Sequence, residues 1–439
     1  MNIEIYEPID ERGHDTEFTY DHILQFKRIG IIDNYDSFHF TLNLIDVGEF
    51  EIAGVFNDKV SELLKPNYLI KFPTCGNPQD QSEFQWGIIH SINIEFDEDS
   101  GYYKYTCYGS DPKYLMYKQL LGIGANNTMT YTYTFNGKFS LGFYDCLAKC
   151  GSWHSATSGA NYLYIVNDTS RLTIPTCFDV LSTSDNVTEQ NIDFQLNTTY
   201  DMLDWSQDYI EKQGYVTIDD EPRVLGFQCI PNTYESTIDG EVHINENFTP
   251  VLIKGGVYGA AKSTYPILSL KWGNVTQLDY TNSFKERTDR VMVAGEGEGP
   301  DRARTIVIDQ RSEIGRKWTD RINTVFMDAR DLQKKYKGQD GEEHTYTDDE
   351  YQDLLVTRGK QELYAKNMRT LDCTIDTTGF LEDSRNRFGL LGKVYRIQDP
   401  ILNLDTTEAV SSVELFDDAA DGQTWLLTLG NDLLTTRIQ

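Results

Sequence analysis

The chain has 439 residues, with 39 Lys and Arg against 69 Asp and Glu, for a net charge of −30. Such a length calls for more than one domain, since single cores stop growing at about 250–300 residues. The charge argues against ordinary nucleic-acid binding, which needs cations to replace counterions along the phosphates, and a mean hydropathy of −0.48 goes with the lack of any apolar run near the length of a membrane span.

The opening residues, MNIEIYEPIDERGHDTEF, hold neither a basic n-region nor an apolar core before a small-residue cleavage site. They read as the start of a soluble protein made in a cytoplasm. From there most of the chain reads as β. Aromatics, 12% of residues, recur in short alternating runs such as FHFTLNLI, WGIIHSINIEF and YYKYTCY. The polar cluster DEDSG, ending in Gly101, makes residues 86–108 a hairpin. Asp111 before Pro112 has the signature of an N-cap and first helical position, which predicts a short helix, PKYLMYKQLL, stopping at Gly122.

The next stretch is rich in Asn, Thr and Tyr. Its Tyr131, Tyr133, Phe135, Trp153, Tyr162 and Tyr164 have flat faces suited to sugar rings, but a small core or subunit contact is the favoured reading. Cys146 and Cys150 lie one helical turn apart with no companion His/Cys pair, so burial on a helix face is favoured over a shared metal. Residues Thr199 to Gln213 gather Met202, Leu203, Trp205 and Ile210 largely on one side of a helix ended by Gly214. GYVTI and VLGFQCI then flank DDEP as another hairpin.

The most specialised backbone lies at Val291 to Val307, VMVAGEGEGPDRARTIV. Gly295, Gly297 and Gly299 permit positive φ or a close approach by another backbone. A nucleotide fingerprint needs a helix straight after its glycines. Here Pro300 and a β-favouring run follow, and Glu296 and Glu298 would repel a pyrophosphate. A strand-turn-strand element at a packed interface is therefore predicted, with Arg302 and Arg304 as partners for those glutamates or for carboxylates across the interface. KKYKGQDGEEH reads as a mobile surface connection. Thr347 to Asn367 reads as a helix with a Thr347–Glu350 capping box and an apolar face of Leu354, Leu355 and Leu363. GKVYRIQDP, AVSSVELFD and TWLLTLG close the chain as strands, so the fold class is mainly β (α+β), with barrels or sandwiches expected.

Signatures of catalysis are lacking. The sequence has no HExxH, no GxSxG and no Gly-rich phosphate loop with Lys-Ser/Thr, and no two of its seven histidines stand at i, i+4. Cys146 or Cys150 with His154 or His243 could be drawn as a Cys/His pair, but a structural role is favoured. Glu296 and Glu298 could be drawn as a glycosidase pair, but glycines beside them give no rigid support for raising one pKa. The runs DEDSG (97–101) and DDAADG (417–422) put carboxylates before a glycine as calcium loops do, yet neither ends in the closing Glu, and hairpin turns explain both. The expectation is no catalytic residue, no cofactor and no metal, with Gly295, Glu296, Gly297, Glu298, Gly299, Arg302 and Arg304 as interface candidates.

The run YTNSFKERTDRVMVAGEGEGPDRARTIV, followed by VFMDARDL and the helical DEYQDLLVTRGKQEL, resembles the C-terminal half of the tail-hub proteins of siphovirus-type phages. Residues 17–56, with the LLKPN that follows, resemble that family's opening. The two matches cover about half the chain. The resemblance, extended to the hub of contractile tails, implies two small β-barrel hub domains with inserted α/β segments, arranged as a ring in a homotrimer. The first barrel would take residues 1–110 with a return near 215–250, and 111–214 would be inserted. The second would take 251–312 and 370–439, with the helix-bearing 313–369 inserted. The implied role is structural: to join the tail tube or distal tail ring to the receptor-binding or fibre apparatus, and to line the DNA exit channel. Such a protein sits in the virion at the tail tip, is assembled in the bacterial cytoplasm, and lets DNA pass without specific binding, as an acidic wall would. Two alternatives are a peptidoglycan- or glycan-degrading tail enzyme and a glycan-binding receptor-recognition protein.

Overall fold

The computed structural model describes residues 1–9, 25–74, 84–117, 132–151, 178–181, 187–188, 191–197, 201–211, 215–218, 221–238, 241–257, 259–281, 288–308, 323–337, 342–366, 370–375, 387–420 and 422–430. A first set of strands comprises β1 (Ile3–Ile9), β2 (Gln25–Ile32), β3 (Ser37–Asn43), β4 (Glu49–Val55), β5 (Leu69–Pro73), β6 (Phe84–Asp97) and β7 (Tyr102–Ser110), with the short helix α1 (Asp58–Leu63) before β5. They pair antiparallel in the order β2-β1-β5-β6-β7-β4-β3. Alternation drives this arrangement. In β3 every second side chain is buried, which places Phe38, Phe40 and Leu42 inward. The expected hairpin at 86–108 is β6 and β7, turned at Gly101 with φ 73°.

The middle of the chain supplies β8 (Thr132–Lys138), α2 (Phe139–Gly151), β9 (Val187–Thr188), β10 (Asn191–Asn197), α3 (Met202–Glu211), β11 (Tyr215–Ile218), β12 (Glu221–Ile238) and β13 (Glu241–Val257). Strands β8 and β10 form their own two-stranded sheet. Met202, Leu203, Trp205 and Ile210 are buried as the helical pattern predicts, and Tyr209 stacks on Phe139 at 4.4 Å. Cys146 is buried on α2. Of the six aromatics with faces suited to sugars, Phe135 packs against this helical core, while the side chains of Tyr131, Tyr133, Trp153, Tyr162 and Tyr164 lie outside the described residues.

The remaining elements are β14 (Ile267–Leu268), β15 (Val275–Thr281), β16 (Arg290–Ala294), β17 (Arg304–Ile308), β18 (Thr324–Asp328), β19 (Lys335–Lys337), β20 (Glu343–Thr345), α4 (Asp348–Lys366), β21 (Thr370–Ile375), β22 (Val394–Asp399), β23 (Leu404–Asp418) and β24 (Gly422–Leu429). A second strand set runs β14-β22-β23-β24-β21-β15. The register of β23 against β24 shifts between Val410 and Ser412, and beyond that point β23 runs between β24 and β3.

That last pairing corrects the expectation of two separate closed barrels. Ser412–Asp418 pairs antiparallel with Ser37–Asn43, so β3 gives its second edge to β23 and the two sets continue as one sheet. Among the described residues neither set closes on itself. One core runs beneath both. Phe40 meets Phe72 at 4.8 Å and Phe388 at 5.6 Å, and Phe388 meets Trp425 at 5.2 Å, each edge to face.

Two local expectations fall partly on the described residues. Asp111 caps a five-residue 3-10 turn, Pro112–Met116, which ends where Tyr117 is extended; the carboxylate accepts the Gly48 N–H at 2.9 Å and the Lys113 N–H at 2.8 Å, and residues 118–122 of the expected helix lie outside the described residues. Lys113 and Asp111 are both fully buried and 3.4 Å apart. The ammonium donates to the Asn43 carbonyl at 2.6 Å, which also accepts from Gln228 at 2.6 Å. Burial pushes the Asp111 carboxyl above its ordinary value, against the pull of Lys113. In KKYKGQDGEEH, Lys335–Lys337 pairs with Glu343–Thr345, braced by a 2.8 Å Lys335–Glu343 ion pair, and residues 338–341 between them lie outside the described residues. The resulting β19 strand lies against β8 and β10, so the two predicted insertions touch.

Candidate functional site

The glycine segment is a hairpin, as its sequence predicts. Strand β16 pairs antiparallel with β17 and parallel with β18, giving a three-stranded sheet separate from the large one. Residues 290–294, which the resemblance assigns to the second barrel, therefore pair with 324–328, which it assigns to the insertion. One face of this sheet carries Val291, Val293 and Val307, and α4 covers it with Tyr351, Leu355 and Leu363. The Thr347–Glu350 capping box is formed: the Thr347 N–H donates to Glu350 at 2.8 Å and the Glu350 N–H to Thr347 Oγ1 at 3.3 Å. Of the predicted apolar face, Leu355 and Leu363 are buried and Leu354 is partly so.

The glycines divide the work between space and conformation. A Cβ at Gly295 would lie 2.3 Å from the Tyr351 hydroxyl and 2.9 Å from Leu355, so close helix approach demands glycine there. Gly297 (φ 103°) and Gly299 (φ 58°) instead occupy left-handed backbone in the exposed turn. Tyr351 joins helix to turn. Its hydroxyl accepts the Glu296 N–H at 2.8 Å and donates to the Leu332 carbonyl. The Glu296 carboxylate accepts the Lys334 N–H at 2.9 Å.

Within the chain the two arginines take other partners than those glutamates. Arg302 pairs with neither glutamate: it donates to the carbonyls of Gly295 and Ala294, both at 2.7 Å, and to the Asp328 carboxylate. Asp328 is also clasped by Arg330, at 2.7 and 2.9 Å. The Arg330 bond first, then Arg302, holds the Asp328 carboxyl below its ordinary value. The Arg304 guanidinium donates to the Gly299 carbonyl, and Glu298 is exposed. The carboxylate that organises the segment stands on a neighbouring strand because β18 lies in parallel register with β16, opposing Asp328 to Ala294. Sequence reasoning missed Tyr351, Asp328 and Gly359. At Gly359 a Cβ would come within 2.5 Å of Val307, and a glycine in mid-helix was the available signal.

Of the residues that could be drawn as a Cys/His pair, Cys146 is buried, and the side chains of Cys150, His154 and His243 lie outside the described residues. Burial pushes the Cys107 and Cys373 thiols up to about 12, and raises that of Cys229, which keeps them protonated and poorly nucleophilic. In the first carboxylate run, Asp97 accepts from Lys104 and from the Asp99 and Ser100 N–H groups of its own turn. In the second, Asp418 accepts the Ala420 N–H at 2.8 Å and Asp417 accepts the Tyr35 hydroxyl. Those are turn and core bonds. No helix among the described residues is long and apolar enough to cross a membrane.

A family model described as "Siphovirus ReqiPepy6 Gp37-like protein" matches residues 178–431, more than half of the chain and all of the glycine segment. The chain belongs to this family. Its fold is shared with solved tail proteins. A tail protein from Neisseria meningitidis MC58 superposes with a TM-score of 0.52 at 11% identity, covering 93% of this chain and 94% of that one. The 43 kDa tail protein of prophage MuSo2 from Shewanella oneidensis does so with a TM-score of 0.50 at 10% identity, covering 98% and 97%. At such identities the likeness speaks for the fold alone: this Gp37-like chain has, over nearly its whole length, the fold of phage tail proteins. No curated protein sequence matches it.

Proposed function

We propose that this Gp37-like chain is a structural hub of the tail tip, built as a homotrimer whose six strand sets surround the DNA exit channel. Its two sets per chain are the counterparts of the two hub barrels, laid side by side by the β3–β23 pairing. Three chains then present six similar units to a tail tube of sixfold symmetry and a threefold end to the tip. The trimer joins the tube or distal ring to the fibre or receptor-binding apparatus, and catalyses nothing. Its acidic wall would repel the genome and let it pass during ejection.

The observation that carries this reading is the fold shared with two tail proteins over more than nine-tenths of each chain, together with the family match. Native mass spectrometry of the purified chain tests it. Three copies of the 50.3 kDa chain are expected, with no release of reducing ends or free amines from host peptidoglycan. A monomer at every concentration, or hydrolysis above background, overturns it.

A further inference from the structure

Covering one face of the three-stranded sheet with α4 leaves the other open, and it is apolar at its centre. Met292 stands directly between Ile306 and Phe326 in the strand register, and Ile306 and Phe326 are 55% and 59% exposed. The neighbouring rows on the same face bring Ile308 with Arg290, and Arg304 with Asp328. Arg302 lies over the Phe326 ring, 5.7 Å from its centre. Arg304 has no carboxylate partner among the described residues.

A second unpartnered apolar surface lies on the large sheet. The β6–β7 hairpin runs past the core, and at its end Phe96 and Tyr103 pack edge to face at 5.2 Å while remaining 54% and 56% exposed. Its charge is opposite: Glu98 and Asp99 fill the turn, with no cation partner among the described residues. In a chain of net charge −30, two copies repel unless cations on one are set against carboxylates on the other.

We infer that the acidic aromatic tip of the β6–β7 hairpin of one copy seats on the arginine-bordered apolar face of the β17-β16-β18 sheet of the next. Phe96 and Tyr103 would cover Ile306, Met292 and Phe326, and Glu98 and Asp99 would meet Arg304. The two surfaces differ, so the contact is heterologous and propagates around a ring, each chain giving one contact and receiving one. A single hairpin tip is small beside the roughly 800 Å² per partner of a standard interface, so ring closure is what makes it stable. The inference rests on the trimer reading above.

The test uses the full chain and two variants, Phe96→Asp on the tip and Ile306→Asp on the face, with circular dichroism to check folding and light scattering to read mass. Each variant alone is expected to dissociate to monomers, with self-association weakened at least about 100-fold. Mixed together at concentrations at least about 100-fold above those that assemble the parent ring, they retain one intact tip and one intact face, and should form a weak dimer, without the gain of ring closure, and nothing larger. Arg304→Glu should weaken the parent ring about tenfold, and adding Glu98→Arg and Asp99→Arg to the same chain should restore it. A parent oligomer that neither Asp variant disturbs overturns this contact and leaves the trimer standing. Loss of association in both variants without a dimer on mixing overturns it too, as does a face that binds a different tail protein while self-association is unchanged. A parent that is monomeric throughout removes both readings.

Discussion

The strand core and the three-stranded sheet are both β, yet they are finished differently. Around Phe40, Phe388 and Trp425 both strand sets contribute to one aromatic core, and the seam at β3–β23 leaves neither partner edge free. The β17-β16-β18 sheet has one face sealed by α4 and the other left apolar and open. A core sealed by its own chain needs no neighbour to be stable. A sheet with one bare apolar face gains by acquiring one.

The comparison breaks most sharply at the core. Trp425→Ala should cost about 3–5 kcal/mol and lower the denaturant midpoint of the whole chain, because the residue is 1% exposed and touches Phe388 and Arg387. An effect confined to the last strands, with the N-terminal set unfolding as before, would mean that the two sets are separate cores.

A smaller and more local loss is expected at the hinge between turn and helix. Gly295→Val forces the Tyr351 hydroxyl aside and should cost about 1–3 kcal/mol. Gly297→Val meets a disfavoured φ instead and should cost a similar amount through backbone strain alone. Hydrogen exchange separates them: Gly295→Val should speed exchange in α4, and Gly297→Val only in the turn.

The smallest effect is electrostatic. Asp328 has its folded-state carboxyl held low by Arg330 and Arg302, so its contribution is present above the ordinary carboxylate range and disappears as pH falls through the folded value. For so accessible a carboxylate that contribution stays below about 1 kcal/mol. Asp328→Asn should therefore destabilise the three-stranded sheet slightly at pH 7 and not at pH 2, as read by exchange of the β18 amides. Equal destabilisation at both would make the contact a matter of shape.

Local chemistry was legible in the sequence where neighbours in sequence decide it. The 86–108 hairpin, the buried side of α3, the capping box at Thr347 and the strand-turn-strand form of the glycine segment all follow from periodicity and turn residues. What depended on distant segments was not legible. No local pattern announces that β23 will pair with β3, or that Asp328 rather than Glu296 or Glu298 will take Arg302. Register between segments set both. Gly295 and Gly297 look alike in sequence and differ in cause, one limited by a helix that approaches from more than fifty residues away and the other by its own φ.

The β3–β23 seam also has a consequence in time. His39 and Glu414, bonded across it at 3.1 Å, are 375 positions apart. A ribosome adding about 5–20 residues per second spends on the order of tens of seconds between them. For that interval the nascent first set holds β3 with one unsatisfied edge, open to any other strand. On a polysome making many copies at once, the commonest such strand is another chain's β3, so the hazard of mispairing is greatest before the chain's own β23 exists.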